Sequence, residues 1–140
     1  MANQNKYSAK LNCEQKIDIL RKNWLSHDAR WQMAIVKKLG WEKGNKINKA
    51  IIKDMGKVMM QRLLNVIGVK KITNINDYIE ICYTAMELYY PSPSMKYTFK
   101  KISENEISGI IEKCIIYDQV KKMKVDNFYE CGCFSMRAGW

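Results

Sequence analysis

The chain has 140 residues, 47% hydrophobic and 27% charged, with a formal charge of +10 at pH 7, a composition ordinary for one soluble globular domain with a sizeable core. No apolar run approaches the ~18 to 20 residues that span a bilayer, which excludes an integral membrane protein. The polar stretch 1–10 carries no export signal, so a cytoplasmic location is expected.

The positive charge resides in lysine, with arginine only at Arg21, Arg30, Arg62 and Arg137. Phosphate and groove readers favour arginine forks. The pairs Lys37-Lys38, Lys70-Lys71, Lys100-Lys101 and Lys121-Lys122 are scattered, as expected of a solvated surface. Nucleic-acid binding is therefore disfavoured and kept only as an alternative. Five cysteines in a reducing compartment read as buried thiols, metal ligands or reactive groups, because structural disulfides seldom persist there.

After a flexible tail over 1–11, Asn12 and Gln15 have the spacing of a capping box, and Glu14 suits the start of a helix. Ile17, Leu20, Trp24, Trp31, Ile35 and Leu39 keep helical spacing until Gly40, a natural C′ residue after Lys37-Lys38. A kink is expected near Ser26. A second helix is predicted from Trp41 to Ile67, ended by Gly68, with Ile47, Ile51, Met55, Met59 and Leu63 on a broad apolar face. Gly44 and Gly56 cost it about 1 kcal/mol each against Ala, which points to a break or a close helix crossing near Gly56.

A third helix should start at Asn76 or Asp77 and run to Tyr89, where Pro91-Ser92-Pro93 stops it. Met95, Tyr97 and Phe99 then alternate with Lys96, Thr98 and Lys100, the pattern of a half-buried strand. A polar link at 103–106 leads to a second apolar run, Ile107 to Ile116, as the antiparallel partner. Tyr117 to Lys124 reads as a short helix or a third strand. No repeat or linker divides the chain, so the expectation is one α+β domain over 1–140, with three N-terminal helices packed on a small antiparallel sheet formed by the C-terminal third.

Three groups of residues offer chemistry. The only histidine, His27, stands beside Asp28 between Trp24 and Trp31. At about 100° per residue, with Trp24 at zero, Trp31 falls near ~340°, Leu20 near ~320°, His27 near ~300° and Asp28 near ~40°. Trp24 and Trp31 should therefore be central core residues, with His27 and Asp28 at opposite margins of the buried face. Histidine suits proton transfer near neutral pH, and a carboxylate stabilises its cation. The two side chains diverge by about 100°, so they would converge on a ligand instead of forming a dyad. A hydrogen-bonded histidine at the core edge, with Asp28 paired to a lysine or Arg30, is the structural alternative.

The second group is Cys114 with Cys131-Gly132-Cys133. Two thiolates flanking a glycine can turn towards one ion, and Cys114 with His27 would complete a tetrahedral zinc set, with iron also open. Redox chemistry and simple packing compete with that reading, while Cys13 and Cys82 have no partner pattern. The third group comprises Tyr78, Tyr83, Tyr89, Tyr90, Tyr97 and Phe99, which with Trp24 and Trp31 would line either a small-molecule pocket or a core. There is no phosphate-cradling Gly-rich loop, no serine nucleophile elbow and no paired-histidine zinc motif.

The pattern Trp24, His27-Asp28, Trp31, then Leu39-Gly40, the Asn-Lys rich turn at 46–49, Cys114, Gln119 and Cys131 resembles a family of uncharacterised cytosolic proteins from anaerobic bacteria. That family resembles the L-2-amino-thiazoline-4-carboxylic acid hydrolase-like group. The resemblance implies an α+β fold and a small-molecule site near His27 and Asp28, with Cys114 and Cys131 as further family positions. Related chains continue past the position of Trp140 with another cysteine-bearing stretch, so the C-terminal end is expected to be incomplete or replaced.

The combined expectation is a small-molecule pocket, with hydrolysis of cyclic amidine or amide-like substrates as its chemistry. His27 would be the general base activating water, Asp28 would orient it or bind a substrate amine, and Arg137 or a lysine would meet a substrate carboxylate, with Trp24 and Trp31 also binding substrate. The alternative is a zinc or iron module built on Cys114, Cys131 and Cys133. A homo-oligomer is also expected, because the tyrosines and methionines suggest a helix face buried against a second copy.

Overall fold

In the computed structural model, which describes residues 7–140, the elements run as a single 3-10 turn at Ser8–Lys10, then α1 (Cys13–Ile67), α2 (Ile75–Tyr89), β1 (Met95–Ser103), β2 (Glu106–Cys114), α3 (Ile115–Lys122) and α4 (Cys133–Gly139). Of the tail expected over 1–11, residues 1–6 lie outside the described residues. The architecture is α+β, with helices preceding and following a two-stranded antiparallel sheet.

Asn12 opens α1 by the expected capping box. Its Oδ1 accepts the Gln15 N–H at 2.8 Å, and the Gln15 Oε1 accepts the Asn12 N–H at 3.0 Å. The break comes at Gly40 and not near Ser26. Gly40 has φ 80° and ψ 168°, a conformation that costs a residue without a Cβ very little. It divides α1 into arms 13–39 and 41–67. Gly68, also left-handed at φ 74°, closes the second arm by donating its N–H to the carbonyls of Leu64 and Asn65.

The cap of α2 is Asn74, earlier than the expected Asn76 or Asp77. Its Oδ1 accepts the Asp77 N–H at 2.9 Å, so Asp77 supplies first-turn charge and not the cap. In the sheet Tyr97 lies opposite Ile111 and Phe99 opposite Gly109. Tyr83 of α2 ties the sheet down twice: its hydroxyl donates to the Phe99 carbonyl at 3.2 Å and accepts the Phe99 N–H at 2.9 Å. The rings of Tyr83 and Phe99 meet edge to face, 5.2 Å apart. The segment after β2 is helical, which resolves the choice between helix and third strand. The last helix, α4, falls where the sequence suggested only a cysteine-bearing turn.

The second arm of α1 is the spine. Gly44, Asn45, Asn48, Ile52, Gly56, Met59 and Leu63 are buried at helical spacing. α4 crosses this line closely, as the glycine at position 56 suggested. A Cβ at Gly56 would lie 2.2 Å from the Met136 carbonyl oxygen, and one at Gly139 would lie 2.2 Å from that of Lys53. Tyr89 joins α2 to the spine by donating its hydroxyl to the Met59 carbonyl at 3.0 Å. Ile52, Met59, Met86, Tyr90, Met95 and Met136 form the main core cluster.

The first arm is rotated from its expected setting. Trp31, expected at the centre of the core, is 37% exposed and Leu20 is 67% exposed, while the arm's fully buried residues are Gln32 and Val36. Helical spacing marks an apolar stripe, but what the arm meets decides which edge of the stripe is covered. Here the covering comes from α3 and the segment leading to α4. They face the side carrying Leu25, Asp28 and Gln32 and leave the Leu20 and Trp31 side open.

Candidate functional site

Between the two arms of α1, α3 and the start of α4 lies a cavity of about 330 Å³. Its walls are largely apolar. Trp24, Leu25 and Met33 come from the first arm, Ile52 and Met55 from the second, and Ile116 and Val120 from α3. One wall is held by Asn45, whose Nδ2 donates to the Phe128 carbonyl at 2.7 Å and whose Oδ1 accepts the Glu130 N–H at 3.3 Å. Trp41 stacks on Phe128 with ring centroids 6.2 Å apart, and Lys49 forms an ion pair with Glu130. These contacts bring Gly132 against the spine, where a Cβ would lie 2.7 Å from Ile52 Cδ1. The glycine of the Cys-Gly-Cys sequence packs closely on the Ile52 side chain, and this places Cys133 on the cavity wall.

Polar side chains on the wall include Lys22, Ser26, Gln119 and Tyr129, together with two buried amides. Asn48 is 2% exposed and Gln32 8% exposed. Both line the cavity, and Asn48 Nδ2 and Gln32 Nε2 have no hydrogen-bond acceptor among the described residues. A buried unsatisfied donor costs about 1–3 kcal/mol, so two beside one cavity mark it as a place built to meet an acceptor.

Among the described residues Asp28 is the only carboxylate on the wall. Burial pushes its carboxyl up from the ordinary value of 3.8, with partial opposition from His27. Tyr90, also on the wall, donates its hydroxyl to Met136 Sδ at 3.7 Å, and burial pushes its ionisation up as well.

Beside the cavity Cys131 and Cys133 lie close together on either side of Gly132. The Cys133 N–H donates to Cys131 Sγ at 3.4 Å. The Cys131 thiol is drawn down to about 6, chiefly by the hydrogen bond from the Cys133 thiol. Cys133, the donor of that bond and desolvated, is pushed up. Arg137 donates to the Cys133 carbonyl at 3.4 Å and approaches Met86 Sδ at 3.3 Å. Its positive charge favours the thiolate.

The structure therefore separates the residues singled out in the sequence. Trp24, Asp28 and Cys133 line the cavity, whereas His27, Trp31, Arg137, Cys114 and Cys131 are not on its wall. His27 is exposed, because the arm's rotation carries the ~300° side of the helix outwards. Of the aromatic group, only Tyr90 joins Trp24 on the wall. Tyr83, Tyr97 and Phe99 instead pack on one another between α2 and the sheet. Among the described residues no three Cys, His, Asp or Glu side chains are grouped to hold a metal ion, so Cys114, Cys131, Cys133 and His27 are not brought together as a ligand set.

Gln32, Asn45 and Asn48 went unmarked in the sequence. The available signal was their position. Asn45 and Asn48 fall in register with Gly44, Ile52 and Gly56 on the spine's buried line, where an amide needs a purpose.

Among the described residues no helix is long and apolar enough to cross a membrane. No curated protein and no solved structure matches the chain. Residues 8–136 match the family model of DUF6125, a family of unknown function, and the chain belongs to that family.

Proposed function

We propose that the protein binds a small, largely apolar molecule of the amide or cyclic amidine type in the cavity beside Asp28. The observation that carries this reading is the pair of buried amide donors, Asn48 Nδ2 and Gln32 Nε2, without an acceptor among the described residues, on a wall whose surface is largely apolar. They call for an acceptor on the ligand, such as a carbonyl oxygen. Asp28, the one carboxylate of the wall among the described residues, calls for the opposite, an N–H or a cation. Amides and amidines carry both kinds of group within a few ångströms, and a volume of about 330 Å³ suits a molecule of that size.

Hydrolysis of such a ligand assigns the general-base role to Asp28. Its raised proton affinity, caused by burial, moves a carboxylate towards the range useful for taking a proton from water. His27 lies outside the wall and its part in this chemistry is at most electrostatic, through Asp28. The family resemblance to hydrolases of a cyclic amidine agrees with this choice of ligand. A cytoplasmic location, where its free cysteines stay reduced, completes the reading.

Isothermal titration with a panel of lactams and cyclic amidines tests it. Saturable binding at one site is expected, weakened at least about tenfold by Asn48→Leu and by Asp28→Asn, the latter most for cationic amidines. Absence of saturable binding across the panel, or equal affinity in both variants, overturns the reading. Product formation from any bound amidine, lost in Asp28→Asn and kept in His27→Gln, would add hydrolysis to binding.

A further inference from the structure

The cavity reading leaves the thiol pair beside it without a task. Cys131 is half-buried and Cys133 buried, and the backbone holds them on either side of a glycine packed against Ile52 of the spine. The Cys133 N–H donates to Cys131 Sγ at 3.4 Å. A backbone donor held on a thiol sulfur favours the charged form of that sulfur. Arg137 supplies the counter-charge. Among the described residues its guanidinium has no carboxylate partner, its bonds going to a carbonyl and a thioether. Its field acts on Cys131, Cys133 and Cys82. Arg137 is half-buried and also lies over the Trp140 ring, 6.0 Å from its centroid, which holds a positive charge on the side of α4 that carries Cys133.

We propose that Cys131 and Cys133 form a dithiol site that exchanges with small disulfides, Cys131 as the attacking sulfur and Cys133 as the resolving one. In the first step the Cys131 thiolate attacks one sulfur of a small disulfide, a new S–S bond forms, the old one breaks, and one small thiolate leaves. In the second step Cys133 gives up its proton to solvent or to the departing thiolate, and its sulfur attacks Cys131 Sγ, expelling the second small thiol. Overall two protein thiols lose two electrons and two protons, and the small disulfide gains them as two thiols. Cys133 is well placed to resolve because its backbone N–H already holds the sulfur it would attack. It is poorly placed to start, because it is buried whereas Cys131 is only half-buried.

Glutathione disulfide, added to the whole reduced protein and followed by mass spectrometry of proteolytic fragments, provides the test. The exposed Cys13 serves as an internal reference. Wild type should lose two hydrogens within the fragment holding Cys131 and Cys133 before Cys13 takes up glutathione, at least about tenfold faster. Cys133→Ala should instead trap one glutathionyl group on Cys131, and Cys131→Ala should leave Cys133 unmodified on the same timescale. Cys133→Ser, which retains a donor, covers the case in which the alanine variant does not fold and should trap the same adduct. Modification of Cys13 ahead of Cys131 in wild type, or no trapped adduct on Cys131 in a folded Cys133 variant, overturns the proposal.

Discussion

Gly56 lies directly beneath the carbonyl of Met136, so close that a single added carbon at position 56 would stand 2.2 Å from that oxygen. This contact sets the distance between the spine and α4, and thereby the place of Cys133 and Met136 on the cavity wall. In an isolated helix Gly56→Ala would be favourable by about 1 kcal/mol. Here it must push backbone aside, and overpacking of this kind costs about 1–3 kcal/mol. Denaturant unfolding should show net destabilisation, with the variant losing affinity for cavity ligands. An alanine variant as stable as wild type would mean that α4 does not cross the spine at this point.

Asn45 and Asn48 stand one turn apart on the spine, are equally buried, and should respond oppositely to the same substitution. Asn45 satisfies both the Phe128 carbonyl and the Glu130 N–H, so Asn45→Leu leaves two backbone groups short of partners and should cost about 2 kcal/mol or more. Asn48 Nδ2 has no partner among the described residues. Asn48→Leu, close to it in volume, should raise ligand-free stability by about 1 kcal/mol while weakening binding. Urea titrations of the two variants decide this, and a shift of the same sign in both would refute the distinction between an anchoring amide and a ligand-facing one.

The rotation of the first arm makes a third contrast. Leu20, 67% exposed, should tolerate alanine within about 0.5 kcal/mol. Trp24 lies against Tyr90 with ring centroids 6.0 Å apart, and Trp24→Ala should cost about 2–3 kcal/mol. Thermal melts of the two variants would detect the difference. A severe loss in Leu20→Ala would show that the other edge of the arm is the covered one.

These contrasts also show how far the chain was legible before its structure. Local chemistry was readable wherever a few neighbouring residues decide the outcome. The Asn12 and Gln15 cap, the Gly40 and Gly68 stops and the alternation from Met95 to Phe99 all fall in this class. The setting of the first arm was not readable, because its apolar residues spread over more than one edge and residues some ninety positions away choose between them. The same non-local choice put His27 outside and Asp28 inside. Gln32, Asn45 and Asn48 were hidden for a different reason, since polar residues on a helix read as solvated until packing shows otherwise. The helix at Cys133–Gly139 is short and carries two glycines at or beside its ends, so the cysteines drew the eye to metal chemistry before the small residues suggested a crossing.

Asp28 links stability to pH in a direction opposite to that of a salt-bridged carboxylate. Its folded-state carboxyl holds its proton more tightly than the unfolded one, because burial on an apolar wall penalises the charge. The contribution to stability is therefore fully present below the ordinary value of 3.8 and is lost as pH rises through the raised folded value. At pH 7 the ionised side chain is a liability that Asp28→Asn removes. The ligand-free variant should melt above wild type at pH 7, and the gap should close as the pH is lowered towards 3.8. A saturating cyclic amidine should invert the comparison at pH 7, since a cation beside Asp28 favours the ionised carboxylate and only wild type offers one. Scanning calorimetry at two pH values, with and without the amidine, measures all four terms. If the variant melts below wild type at pH 7 without ligand, Asp28 has a stabilising partner, and the wall was not built to keep it waiting for one.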